Sequence, residues 1–229
     1  MSTMTQSTAK QPHYASLSNS LYPYILVGFV ACLLIANIAT TKLISFGPIV
    51  TDGGFFLYPL TYILDDIISE VYGWKAARRA IIMGFVIMLI ASINFFLVNI
   101  SPPAPGWNNQ SAYEAILGFV PRIIFASLCG YLVGEFLNTF VIVKLKQRTM
   151  EKKLGLRLVA STVVSEFADT LVFCTVAFYG VITGAEFANY VFFGYIYKTL
   201  LEICLLPVTY PLIGWIKRRE PSYHLETIA

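Results

Sequence analysis

The sequence predicts an all-α integral membrane protein with six transmembrane helices and both termini on the cytoplasmic side. Three observations predict it. Hydrophobic residues make up 57% of the chain and charged residues only 13%, about half the charged share of an ordinary soluble domain. Six apolar runs, each close to the roughly 20 residues a bilayer span requires, use nearly all of the 229 residues. Thirteen of the sixteen lysines and arginines fall on one side of an alternating topology, and such an excess marks the cytoplasmic face.

The runs cover residues 22–46, 53–72, 80–100, 116–143, 156–182 and 190–216. Lys75, Arg78 and Arg79 follow the second run, and Lys217, Arg218 and Arg219 close the sixth. The segment from Lys144 to Arg157 holds six more bases between the fourth and fifth runs. The opposite loops, 47–52, 101–110 and 183–186, hold none. Proline, glycine and asparagine in SPPAPGWNN mark the central connection as an extramembrane loop. Residues 1–21 are expected to form a flexible cytoplasmic tail with no signal-peptide core. Residues 22–219 then form a single six-helix transmembrane domain, and 220–229 a C-terminal tail. Gly53, Gly54 and Pro59 make the second run the least regular; five spans plus a re-entrant second segment is the alternative. Three spans on either side of the central loop would run in opposite orientations, a geometry that allows an inverted repeat, although the halves show no convincing sequence match.

Composition also excludes function classes. The net charge of +3 is spread over span ends, so no basic stripe for nucleic acid is expected. Cys32, Cys129, Cys174 and Cys204 lie in apolar runs without paired spacing, and His13 and His224 lie in the tails. Neither a metal site nor a disulfide framework is expected, and no cofactor is predicted.

The informative residues are the ionisable ones inside the runs. They are Asp65, Asp66 and Glu70 in the second, Arg122 and Glu135 in the fourth, Glu166 and Asp169 in the fifth, and Lys198 and Glu202 in the sixth. Each costs about 2.5–3.5 kcal/mol at the centre of a membrane helix, so they are expected to face the interior of the bundle or water. Asp66 and Glu70, and Lys198 and Glu202, are four apart; Glu135 and Asn138, and Glu166 and Asp169, are three apart. At these spacings each pair shares a helix face, which gives each helix a polar stripe toward a common interior. Seven acids face two bases, and a low-dielectric interior cannot hold that many bare carboxylates. Protonation, snorkelling or a donor-rich ligand must relieve the excess. Glu70 and Arg122, near the ends of their runs, are the snorkelling candidates. Glu166, Asp169 and Lys198 lie deepest and are the central candidates. The bland alternatives are an intrahelical ion pair for Lys198 with Glu202, an interhelical staple for Asp169 with Lys198 or Arg122, and packing hydrogen bonds for Asn37 and Asn138. Phe56, Tyr58 and Tyr62 face lipid by default.

Four stretches carry a family resemblance: LTYILDDIISEVYGWKAARRAI, PRIIFASLCGYLVGEFLNT, STVVSEFADTLVFCTVAF and YIYKTLLEI. The chain strongly resembles the queuosine precursor transporter family, also described as vitamin uptake transporters, over roughly residues 22–219. The most specific element is Asp-x-x-x-Glu-x-Tyr-Gly, here Asp66, Glu70, Tyr72 and Gly73, supported by Asp169-Thr170 and Lys198. The resemblance implies a six-helix inner-membrane importer, not an enzyme. Its substrate would be 7-cyano-7-deazaguanine, 7-aminomethyl-7-deazaguanine or queuine, salvaged for tRNA modification. A guanine-like edge offers two adjacent donors that one carboxylate accepts together. Asp169 or Glu166 suits that edge, Lys198 or Arg122 the ring carbonyl, and Tyr62 or Phe56 the flat face. Asp66 or Glu70 suits an aminomethyl cation, and Asn37, Glu135, Asn138 and Glu202 complete the polar candidates. No GxxxxGK[ST] stretch occurs, so any ATP use must come from another chain; the importer reading expects no obligate ATPase partner. A substrate-binding subunit of an ATP-driven vitamin uptake system is the alternative, and a homo-oligomer is compatible with the sequence.

Overall fold

The protein is described as a computed structural model covering residues 14–148, 154–182 and 184–224. Its elements run α1 Tyr22–Ala39, β1 Leu43–Phe46, β2 Ile49–Asp52, α2 Tyr58–Ile67, α3 Trp74–Ile100, α4 Gln110–Leu117, α5 Val120–Arg148, α6 Leu154–Phe178, α7 Ala185–Arg219 and α8 Pro221–His224. Among the described residues, α1, α3, Gln110–Gly134 and α7 are long and apolar enough to cross a membrane. Large apolar side chains stand exposed along α3, among them Ile82, Val86, Leu89, Ile93 and Phe96. A soluble monomer rarely exposes so continuous an apolar belt, and a bilayer would cover it. The chain is a mostly helical, multi-pass membrane protein.

The first departure from the expected all-α fold is a hairpin. The apolar run from Tyr22 is helical only to Ala39, and Thr40 closes the helix with its N–H and its hydroxyl on the Ala36 carbonyl. The run then continues as β1, which pairs antiparallel with β2 in the register Leu43 with Asp52 and Phe46 with Ile49. Apolarity alone cannot separate a buried helix from a buried strand. The β-branched residues of β2 and the Gly47-Pro48 turn decide for strand.

The second run is not one regular helix. It opens with a 3₁₀ turn, Gly53–Phe56, capped by the Asp52 side chain on the Gly54 N–H. It continues as the ten-residue α2 and ends in a π-helical turn, Ile68–Tyr72. Gly73, at φ 81°, then lets the chain enter α3, and the Tyr14 ring lies where a Cβ would stand.

α5 and α6 lie side by side, α6 packs on α7, and α1 packs on α2 and α3. The closest approach comes at Gly130 and Gly134 of α5. A Cβ at Gly130 would stand 2.6 Å from Asp169 Oδ1, and one at Gly134 would stand 3.2 Å from Asp169 Cβ. This is the small-xxx-small spacing that lets membrane helices approach closely.

Two apolar cores bracket the interior. One joins Tyr22, Phe29, Ile67, Ile68, Val71, Ala77, Ala80, Ile213 and Ile216 at the basic end. The other joins Ile123, Ala126, Phe173, Cys174, Phe178, Tyr190 and Val191 at the hairpin end. Residues 14–21 and 220–224 belong to the stretches expected as tails, yet they pack together. Ala15 N–H donates to the Val71 carbonyl (2.8 Å), and Leu21 N–H donates to Glu220 Oε1 (2.7 Å). The Tyr72 hydroxyl donates to the same oxygen (2.6 Å). Residues 1–13 and 225–229 lie outside the described residues.

Candidate functional site

Between the two cores lies a chamber of about 410 Å³, within the roughly 300–1,000 Å³ of small-molecule sites. Six helices line it, α3 with the apolar Ile81 and Phe85 and the other five with polar or aromatic groups. α1 contributes Asn37; α2 contributes Tyr58, Tyr62, Asp65 and Asp66; α5 contributes Ser127 and Tyr131; α6 contributes Glu166, Asp169 and Phe173; and α7 contributes Lys198.

Lys198 Nζ bonds Asp169 Oδ2 at 2.5 Å, with the two side chains 17% and 22% exposed. The ammonium also lies 5.9 Å from the Phe173 ring centroid. The pair crosses from α7 to α6, as the interhelical-staple alternative supposed, but it does so on the wall of the chamber. One turn along α6, Glu166 turns the same way, and its Oε2 is buried with no hydrogen-bond partner among the described residues. A carboxylate oxygen in that condition loses its hydration without compensation, so the chamber holds an acceptor that a bound donor would satisfy. Asp66 stands exposed on the lining, while Tyr62 presents a ring to the same space. Asn37 is buried and committed, with Nδ2 donating to the Leu33 carbonyl (2.8 Å) and Oδ1 accepting from Ser127 Oγ (2.8 Å).

Three sequence candidates are placed elsewhere. Glu70 pairs with Lys217 at 2.6 Å at the basic end, since the π-helical turn rotates it away from the stripe it would share with Asp66. Arg122 donates to the carbonyls of Val176 (2.8 Å) and Tyr179 (2.5 Å) and lies over the Phe119 ring. It thereby satisfies backbone oxygens left free at the end of α6. Phe56 is 67% exposed and packs edge-on against Phe46 and Phe55 of the hairpin region. The side chains of Glu135, Asn138 and Glu202 lie outside the described residues.

Sequence reasoning did not single out Ser127, Ser165, Thr162 or Phe173. The signal was present: Ser127, Tyr131 and Gly134 share one face of α5, and Thr162, Ser165, Glu166, Asp169 and Phe173 share one face of α6. Such stripes of small and polar residues mark interior faces of membrane helices.

Comparisons with known proteins place the chain in a transporter family. The family model described as a putative vitamin uptake transporter matches residues 52–212. A probable queuosine precursor transporter of Bacillus subtilis (strain 168) is 27% identical over 87% of this chain and 86% of its own length. The queuosine precursor transporter of Escherichia coli (strain K12) is 26% identical over 74% of this chain and 76% of its own. A probable queuosine precursor transporter of Haemophilus influenzae is 26% identical over 70% of this chain and 67% of its own. No solved structure matches the chain.

Proposed function

The chain belongs to the putative vitamin uptake transporter family, and from its similarity to queuosine precursor transporters we propose that it imports queuosine precursors across the cytoplasmic membrane. It is a transporter and not an enzyme. The substrates we assign are the 7-deazaguanines: 7-cyano-7-deazaguanine, 7-aminomethyl-7-deazaguanine or queuine. Each carries a guanine-like edge, a ring carbonyl and a flat face.

The observation that carries the assignment is the buried, unpartnered Oε2 of Glu166. The Glu166 carboxylate takes the ring N–H and the exocyclic amine together, a charge-assisted fork of two bonds. Asp169 is already engaged by Lys198, so its role is to hold that ammonium in place. Lys198 has two further N–H donors, and one serves the ring carbonyl. Tyr62 stacks on the base, a contact worth about 1–3 kcal/mol. Asp66, exposed on the lining, meets an aminomethyl cation. A site of this kind discriminates strongly against bases lacking the matching groups, because its own polar atoms are then left unpaired.

We also assign six crossings with both termini in the cytoplasm. α1, α3, α5, α6 and α7 supply five. For the sixth, the second run starts beside the hairpin, where Asn189 near the start of α7 bonds Pro48 and Val50. It ends beside the close of α7, where Lys217 and Glu220 bond Glu70 and Tyr72. A segment tied to both ends of a 35-residue helix traverses the bundle rather than returning to the side it entered.

The test is uptake of radiolabelled 7-deazaguanines by the purified protein in liposomes, with no other chain present. Saturable uptake, blocked by excess unlabelled precursor, is the expected result. A strict requirement for an ATPase chain would establish the substrate-binding-subunit alternative instead.

A further inference from the structure

The Asp169-Thr170 pair singled out in the sequence points two ways. Asp169 lines the main chamber, whereas Thr170 lines a second, smaller one of about 20 Å³ toward the hairpin. Lys198 and Tyr58 border both, so the lysine stands in the wall between them. The small chamber has room for one water, which needs roughly 10–15 Å³ on this measure. Thr170 is 2% exposed, and its hydroxyl has no hydrogen-bond partner among the described residues. Asp52, 4% exposed, forms the far wall.

Asp52 sits in a cluster with a place for one more proton. Its Oδ1 accepts from Gly54 N–H (2.7 Å), and its Oδ2 accepts from the Tyr190 hydroxyl. The Thr40 hydroxyl lies 2.9 Å from Asp52 Oδ1 and also 2.9 Å from the Ala36 carbonyl oxygen. That hydroxyl carries a single hydrogen and donates fully to only one acceptor at a time. When it donates to Ala36, Asp52 Oδ1 keeps a single donor, Gly54 N–H, and has a lone pair free to carry a proton.

The geometry points to a proton relay, resting on the transport reading above, in which a water in the small chamber bridges Asp52, Thr170 and Lys198. Asp52 in its acid form gives its proton to the water. The water passes one of its own to Lys198 Nζ as the lysine hands its proton to Asp169. The net change is that protonated Asp52 and ionised Asp169 become ionised Asp52 and protonated Asp169. No other species is consumed. Lys198 keeps its charge but is released from Asp169, which couples the proton's arrival to the grip on the ligand. The titratable groups facing this path are Tyr58 and Tyr62 from α2, Glu166, Asp169 and Cys174 from α6, and Tyr190, Tyr197 and Lys198 from α7. Thr170→Val removes the hydroxyl with almost no change of shape, and Asp52→Asn removes the proton donor.

Two measurements decide it. The first needs no substrate: infrared difference spectra of the membrane-embedded protein across a pH titration. A carboxylic-acid band that titrates, vanishes in Asp52→Asn and shifts in Thr170→Val is the expected result. The absence of such a band, or a band indifferent to Thr170→Val, overturns the relay. The second is liposome uptake with the outside one pH unit more acidic, which at one proton per solute drives about tenfold accumulation. Wild type should accumulate, while Thr170→Val and Asp52→Asn should only equilibrate. Equilibration by wild type would overturn the relay and leave the transport reading intact. No entry of any deazaguanine would sink the transport reading, with the infrared result then deciding the relay alone.

Discussion

The central chamber and the clamp at the basic end both gather charged side chains, but they use them differently. In the clamp, Glu70 is paired with Lys217, and Glu220 Oε1 accepts from Tyr72 and from Leu21 N–H; Glu220 Oε2 is likewise buried without a partner among the described residues, but Glu220 lines neither chamber. These bonds join the start of α1, the π-helical turn and the end of α7 into one block. In the chamber, one pair is closed, Asp169 with Lys198, and Glu166 beside it keeps a buried acceptor open. The most specific motif, Asp66, Glu70, Tyr72 and Gly73, divides between the two regions. Only Asp66 reaches the chamber. The lesson is that the motif by which the family is recognised chiefly holds the helices together, while less specific positions on α6 and α7 line the chamber proposed to bind the ligand.

Substitutions can break that contrast, and the largest effect is expected at the closed pair. Lys198→Met leaves Asp169 without its cation and should cost about 3 kcal/mol of stability, the low end for a buried pair because both side chains keep some exposure. Adding Asp169→Asn should restore most of that loss in detergent unfolding curves without restoring ligand binding. If the double variant binds normally, the pair is a staple and the contrast fails. Next comes Glu166→Gln, which keeps the fold but weakens a charged hydrogen bond to the ligand. Affinity should fall roughly ten- to hundredfold by titration, the equivalent of about 1.5–3 kcal/mol.

The clamp should respond in the opposite sense. Tyr72→Phe should lower stability by about 1.5 kcal/mol through the lost bond to Glu220, with ligand affinity unchanged. Glu70→Gln should shift stability by less than about 1 kcal/mol, because its side chain is 60% exposed and such pairs contribute little. A loss of binding in either clamp variant would bring the two regions together.

How far the sequence foretold this follows from which forces act locally. Apolar runs and basic clusters are summed over many residues, and they located the long helices. The deep acids and the lysine were legible because their cost in a membrane leaves few places for them to go. The hairpin was not, since 43–46 reads as the end of the first apolar run and 47–52 as a loop, and nothing local announces that the two pair. Arg122 was read as a snorkelling residue or an alternative to Lys198 for the ligand carbonyl; its partners, backbone carbonyls at the end of another helix, carry no residue-type signature that could have shown them. Glu70 was assigned to the stripe of Asp66 on a regular 3.6-residue period, and the π-helical turn breaks that period. The Gly130/Gly134 spacing was readable as a close-approach face of α5, and it is there that Asp169 of α6 packs.

The most direct measurement is ligand-induced thermal stabilisation of the purified protein by the three 7-deazaguanines against guanine and adenine, repeated with Glu166→Gln, Asp169→Asn and Tyr72→Phe. The account predicts stabilisation by at least one deazaguanine, lost in Glu166→Gln and Asp169→Asn and retained in Tyr72→Phe. Stabilisation by none of the three, or stabilisation unchanged in both chamber variants, would contradict it.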